Sequence, residues 1–483
     1  MHGASTAGTR KNQSYFSGHA LTLERFEGTD RKGGPAAGSW RQERLVLAAV
    51  DKFCNAEEDI IMRLAFYFAL CAVTFLATGA VAKELPRAEP EAVGLSAEHL
   101  RQIDSVFEGK IGAGEFPGAV FMVARHGKIV HSSALGARTE GGEAMTEDTI
   151  FRIYSMTKPI TSVVALSLIE EGKLDLSAPL HAYLPEYKEM KVATGRSADG
   201  NIESEPAARP IRVIDLMRHT AGLTYGFFGT GVAREALKEK NPGNGQYSNR
   251  ELAEIIGTLP LEYHPGTTWE YSRATDILGA VIEVVDGRPL SEAMKARVFD
   301  PLDMKNTGFY VEDAANYPRI AEPNADDRMI GNIAVFDPRK SRVFETGGGG
   351  LVSTSRDYAR FMQMLLNRGE LDGVRILSPF TVDYMLTDQL GSIGPGKYYL
   401  PGQGYGFGLG VAVRKEVGAS PLMGSVGDFF WGGAAGTYMA GDPEEDMFLI
   451  YMVQSPKNGT KLRATIRNMT YGAITELNRK SAP

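Results

Sequence analysis

The chain has 483 residues, and its 52 Lys/Arg against 59 Asp/Glu leave a formal net charge of −7 at neutral pH. Such a length can bury a large core, and the mildly acidic balance, with no basic stripe, excludes electrostatic binding of nucleic acid. Two cysteines, Cys54 and Cys71, are too few for a disulfide framework or a zinc site.

Residues 1–61 hold eight Lys/Arg and eight Asp/Glu, are rich in Gly, Ser and Thr, and show no sustained periodicity. They lack the apolar content of a core and read as an unstructured upstream extension, with Met62 as the true start. From Leu64 to Ala82 there are 19 residues without a charge, ending Ala80-Val81-Ala82 before Lys83. One basic residue, an apolar stretch and a small-x-small end predict a signal peptide over 62–82. The alternative is an anchor over 64–82, since a stretch of this length can just span a bilayer. Cleavage would leave 83–483 as a single exported domain, periplasmic or secreted, without stable membrane association and without cysteine.

Ser96 is placed to cap an amphipathic helix through about Lys110, with Leu100, Ile103 and Phe107 on one face. Two apolar runs, Ala119–Val123 and Lys128–Ser132, flank Arg125-His126-Gly127 and predict a β-hairpin. A strand over Thr149–Ile153 leads to a helix from about Ser155, with Pro159 in its first turn and Gly172 as its stop. Residues from about 173 to 345 are expected to be helical pieces between loops, including Ile211–Arg218 and Thr275–Val285. A glycine run, 347–350, precedes a helix capped at Thr354 or Ser355 and ending near Leu366. Strands are predicted over Gly406–Val413, Phe429–Trp431, Thr437–Ala440 and Met447–Gln454, then a helix over Lys461–Leu477. The expected fold is α+β: one antiparallel sheet built from both chain ends, flanked by N- and C-terminal helices, with an inserted mainly helical lobe at 173–345.

Ser155-Met156-Thr157-Lys158 puts a hydroxyl and an amine on one helix face, where they can share a proton, with the helix N-terminus favouring negative charge. Its plain reading is a capping serine with a solvated lysine. A serine nucleophile needs a proton acceptor. Residues 83–483 hold six histidines and no Gly-x-Ser-x-Gly elbow, and neither a His-Glu-x-x-His nor a cysteine cluster points to a metal. No cofactor is expected. Gly391–Lys397 has phosphate-loop spacing, but Tyr398 stands where Ser or Thr would bind magnesium, so the segment reads as a flexible surface loop. Tyr271 in Trp269-Glu270-Tyr271-Ser272-Arg273 could act as a base if Lys158 supplies positive charge; its plain reading is a core or loop tyrosine. Trp431-Gly432-Gly433-Ala434 ends a strand whose glycines leave the backbone open, so a strand N–H and the Ser155 N–H could together hold an oxyanion. A bulge at a sheet edge explains the glycines equally well.

Taken together, Ser155-Met156-Thr157-Lys158, Tyr271-Ser272-Arg273 and Trp431-Gly432-Gly433 resemble the serine β-lactamase-like superfamily, most closely its family VIII carboxylesterases. Leu216–Leu223, Gly348–Thr354 and Gly424–Gly427 through Gly436-Thr437 support the resemblance, which spans about Glu89 to Leu477. It implies Ser155 as the acylated nucleophile, Lys158 as its proton partner, Tyr271 as base or base relay, and the Ser155 and Ala434 N–H groups as the oxyanion hole. His219 is expected to serve packing. Trp431, Gly432, Gly433 and Arg273 are expected to meet substrate. Where β-lactamases carry Asn in the tyrosine motif this chain has Arg273, and their Lys-Thr-Gly is here Trp431-Gly432-Gly433. The lost lysine and the added indole favour a neutral small-molecule ester over an anionic antibiotic. The implied function is a serine carboxylesterase. The alternatives are a β-lactamase, a D-amino-acid peptidase, an acyltransferase using the same serine, or a non-catalytic cell-wall-binding protein. A segment within 225–250 containing Tyr225-Gly226-Phe227-Phe228 offers an apolar wall.

Overall fold

The computed structural model describes residues 84–478, apart from 241–244 and 332. The upstream extension, the 62–82 signal segment, the alternative anchor and both cysteines lie outside the described residues. None of the described helices is long and apolar enough to cross a membrane.

Seven antiparallel strands form the central sheet. Strands β1 (Gly118–Arg125) and β2 (Lys128–Gly136) come from the N-terminal side. Strands β3 (Tyr405–Phe407), β4 (Ala412–Arg414), β5 (Phe429–Gly432), β6 (Gly436–Asp442) and β7 (Met447–Gln454) come from the C-terminal side. The order is β3-β4-β5-β6-β7-β1-β2, and the two chain ends meet where β1 pairs with β7, Phe121 opposite Tyr451. The β1–β2 turn takes the conformation the sequence requires: His126 and Gly127 both have positive φ, 52° and 72°, which matches the strand twist in a two-residue hairpin.

Side chains alternate across a strand, so β1 and β7 divide themselves between two cores. Val120, Met122, Phe448, Ile450 and Met452 face the larger one, while Phe121, Val123, Leu449, Tyr451 and Val453 face the smaller. Both faces are covered, which is why these strands read as continuous apolar runs rather than as alternation. The smaller core is closed by helices α1 (Ala97–Gly112) and α5 (Arg463–Gly472). Ser96 caps α1 by accepting from the His99 N–H at 3.3 Å. The larger core holds α2 (Thr157–Glu170), α3 (Ala274–Asp286) and α4 (Ser355–Leu366). Helix α2 is buried on every side from Thr157 to Leu168, as an all-round apolar helix must be. Its first turn is therefore fixed against the sheet.

Four elements depart from expectation. The strand expected over Gly406–Val413 is a hairpin, β3 and β4, because Gly408 and Gly410 turn the chain back. Gly410 has φ 98°, and a Cβ there would stand 2.6 Å from Ser162 Oγ, so the turn lies directly on α2. The 173–345 lobe is less helical than expected, since Lys191–Arg196 and Ile202–Pro206 form an exposed hairpin. Gly391–Lys397 is no free loop: Gly394–Pro395 pairs in parallel with Thr268–Trp269, and Gly396 N–H donates to Trp269 O at 2.8 Å. A Cβ on Gly396 would come within 2.6 Å of that oxygen, so glycine permits the approach. The closing helix is also shorter than predicted, beginning as a 3₁₀ turn at Gly459–Leu462 and ending at Gly472.

Candidate active site

The chain enters α2 through a 3₁₀ turn, Tyr154–Met156, that carries Ser155. Tyr154 has φ 44°, a conformation that a bulky residue holds only when its surroundings impose it, and it lies immediately before Ser155. One turn on, Lys158 is fully buried, with Nζ 3.4 Å from Ser155 Oγ. Lys158 Nζ also donates to Gly348 O at 2.6 Å and to Tyr225 Oη at 3.3 Å. Tyr271, between the Thr268–Trp269 strand and α3, donates its hydroxyl to Ser155 Oγ at 2.7 Å. Lys158 Nζ lies 4.6 Å from the centroid of the Tyr271 ring. Segments more than a hundred residues apart thus bring an amine and a phenol to one hydroxyl oxygen, where a proton can pass among the three groups.

The end of β5 completes the cleft. Gly433 N–H donates to Thr437 O at 2.8 Å. A Cβ on Gly433 would sit 2.2 Å from Thr437 Oγ1 and 2.4 Å from Ile153 O, so only glycine lets this turn lie against the chain leading to Ser155. Thr437 Oγ1 ties the same Ile153 carbonyl at 3.2 Å, and Arg463 from α5 donates to Thr437 O at 2.8 Å. The next N–H, that of half-buried Ala434, donates to no protein acceptor among the described residues.

Two residues expected to meet substrate are engaged by the protein itself. Trp431 is only 3% exposed, its ring 5.5 Å from Tyr271 and 5.3 Å from Phe407, so it backs the tyrosine rather than offering open apolar surface. Arg273 pairs with Asp276 at 3.1 Å, which offsets its charge. Gly432 lies beside the Arg463 guanidinium, 2.7 Å from where its Cβ would be.

His219 is walled in by Trp269, Tyr271 and Phe407 at 5.0–5.7 Å, with Nδ1 3.3 Å from Ser272 Oγ. It supports the Tyr271 ring from behind, which is the packing role expected of it. Burial, aided by the Lys158 charge, holds its imidazole well below its ordinary value of 6.5, so it stays neutral in the fold. The unfolded chain would take up that proton as pH falls through 6.5 while the folded chain would not. Stability attributable to this residue is therefore complete above 6.5 and is lost on acidification. Below pH 6 this costs up to about 1.4 kcal/mol per pH unit. In His219→Gln the slope of unfolding free energy against pH should be shallower by that amount; equal slopes would show that His219 titrates normally.

Sequence reasoning missed two partners of Lys158. Tyr225 was read only as pocket wall, and the Gly348 carbonyl carries no side-chain signal at all.

The beta-lactamase family profile matches residues 103–473. Protein Rv1367c of Mycobacterium tuberculosis (strain ATCC 25618 / H37Rv) is 39% identical over 355 residues, 71% of this chain and 86% of its own. Esterase EstB of Burkholderia gladioli is 34% identical over 372 residues, 72% of this chain and 88% of its own. Among solved structures, EstCE1, a hydrolase with promiscuous acyltransferase activity, aligns at TM-score 0.63 and 26% identity, covering 78% of this chain and 99% of that one. Family, relatives and geometry agree: the chain belongs to the beta-lactamase family, in the branch of its esterases, and is a serine hydrolase.

Proposed function

We propose that the protein is a carboxylesterase that hydrolyses short to medium acyl esters through an acyl-Ser155 intermediate. The observation that carries this reading is the contact of Ser155 Oγ with both Tyr271 Oη, at 2.7 Å, and Lys158 Nζ, at 3.4 Å. Ser155 Oγ attacks the ester carbonyl as its proton passes to the Lys158–Tyr271 pair. The carbonyl oxygen becomes an oxyanion held by the Ser155 and Ala434 N–H groups, each worth roughly 3–4 kcal/mol in such a hole. The pair returns the proton to the leaving oxygen, and the alcohol departs. Water, deprotonated by the same pair, then attacks the acyl carbonyl and releases the acid and free Ser155.

An ester is favoured over a β-lactam because the site offers an anion little. Arg273 is neutralised by Asp276, and Trp431 stands where the antibiotic-cleaving relatives carry lysine. Steady-state turnover of p-nitrophenyl butyrate should therefore exceed that of a chromogenic cephalosporin by roughly a hundredfold or more in kcat/KM. Mass spectrometry of acid-quenched enzyme should place the butyryl group on Ser155. A preference for the cephalosporin, or an acyl group elsewhere, would sink the proposal. The acyltransferase activity in the description of EstCE1 supports a second reading, transfer to an alcohol in place of water. Adding an alcohol acceptor and measuring new ester against free acid separates the two.

A further inference from the structure

Lys158 is held by a closed ring of contacts that the reaction scheme above does not use. Its amine donates to Gly348 O at 2.6 Å, and the N–H of that same glycine donates to Asp276 Oδ1 at 2.9 Å. Asp276, buried at the start of α3, also accepts from the Thr346 hydroxyl and pairs through Oδ2 with Arg273 at 3.1 Å. The Arg273 guanidinium lies 5.3 Å from the centroid of the Tyr225 ring. Tyr225 Oη returns to Lys158 Nζ at 3.3 Å and closes the ring. The ring is tightly built: a Cβ on Gly348 would fall 2.9 Å from Asp276 Oδ1 and 3.3 Å from Tyr225 Oη. Phe227 at 4.7 Å, Tyr271 at 5.3 Å and Phe228 at 5.8 Å pack around the Tyr225 ring, so its hydroxyl has little freedom to move.

An amine has three positions about nitrogen beyond its carbon, each a donor when charged, one a lone pair when neutral. Gly348 O and Tyr225 Oη occupy two of them. The third is left to face Ser155 Oγ, whether as a proton offered or as the lone pair that takes one. We propose that Tyr225 is a positioning residue that, with the Gly348 carbonyl, aims the Lys158 amine at Ser155, and that Arg273 and Asp276 serve this aim by holding Tyr225 and the Gly348 peptide. The inference rests on the reading of Lys158 as the proton partner of Ser155. It also gives Arg273 a task in place of substrate contact. Burial keeps the Tyr225 phenol far above its usual range, so it remains a neutral hydroxyl able to accept from the amine. The other titratable or charged groups facing Lys158 are Tyr271 and His219, with Arg273 and Asp276 behind.

Tyr225→Phe keeps the ring and removes only the hydroxyl. The expected result is a fall in kcat of about tenfold or more with KM within about twofold. The acid limb of the kcat/KM profile should move by about half a pH unit, and the melting temperature should change little. A shift in KM alone would make Tyr225 a pocket wall and overturn the proposal, as would unchanged kcat and pH profile. Labelling of Ser155 by a fluorophosphonate separates the two levels of inference. No labelling of wild type would refute Ser155 as nucleophile; normal labelling of wild type with an equal rate in Tyr225→Phe would refute only the role of Tyr225. If Tyr225→Phe does not fold, Asp276→Asn, which keeps an oxygen for the Gly348 N–H but removes the charge facing Arg273, should label more slowly. An undiminished rate there would overturn the proposal.

Discussion

Ser155→Ala will abolish ester turnover, and Lys158→Ala and Tyr271→Phe will each lower kcat by roughly a thousandfold or more while the protein still folds. The expectation follows from the geometry around one atom. Ser155 Oγ has two proton-exchanging neighbours, Tyr271 at 2.7 Å and Lys158 at 3.4 Å, and Lys158 lies over the Tyr271 ring as well. On the proposed mechanism the three act on one proton, so their losses will not add. The Lys158→Ala/Tyr271→Phe double variant should be little slower than the worse single variant. Residual turnover above the uncatalysed rate should survive in Lys158→Ala, since the Ser155 and Ala434 N–H groups would still face the carbonyl oxygen. Steady-state kinetics on the four variants, with circular dichroism to confirm folding, decides the matter. Near-normal turnover in Tyr271→Phe would remove that residue from the proton path.

The largest effect on stability is expected at Asp428, immediately before β5. Its carboxylate is fully buried between two arginines: Arg414 on β4, and Arg467 on α5 at 2.7 Å. It also accepts from the Tyr405 hydroxyl at 3.0 Å. One carboxylate therefore joins β3, β4, β5 and α5 at a point where none of the charges can reach water. Asp428→Ala would strand both guanidinium groups in the core and should destabilise the fold by about 3–5 kcal/mol, the range for breaking a buried pair. Urea unfolding should show the midpoint moving down with the slope unchanged. Because β5 carries the chain into the Gly433–Ala434 turn, turnover should fall at temperatures where the variant is still mostly folded. A loss below about 1 kcal/mol would mean that water reaches the cluster and that the pairing is surface-like.

Much of the candidate site was legible in the sequence because its parts are local. Ser155 and Lys158 are three residues apart, and helix periodicity alone puts them on one face. The glycines at 432–433 mark a backbone that something must approach closely, and Gly433 does lie against Ile153. The outer helix at Ser96, the β1–β2 hairpin and the C-terminal strands were legible for the same reason: caps, turn residues and apolar runs act within a few positions of themselves. The paired glycines that split 406–413 into two strands were local signals too, and were passed over.

What the sequence could not give was which distant segments meet. Tyr225 reaches Lys158 across 67 positions and the Gly348 carbonyl across 190, and neither contact leaves a spacing rule to read. The Arg273–Asp276 pair, by contrast, is three residues apart at the start of a helix, and was a local signal passed over. Trp431 looked like binding surface because an indole at a strand end is ambiguous until Tyr271 and Phe407 are packed against it. The chemistry of a residue is written in its own side chain and nearest neighbours, so sequence by itself determined the family, the class of serine hydrolase and the candidate pair Ser155 and Lys158. Burial, charge pairing and aim depend on surfaces brought together over long distances by the collapse of two cores around one sheet, and those the tertiary structure alone decided.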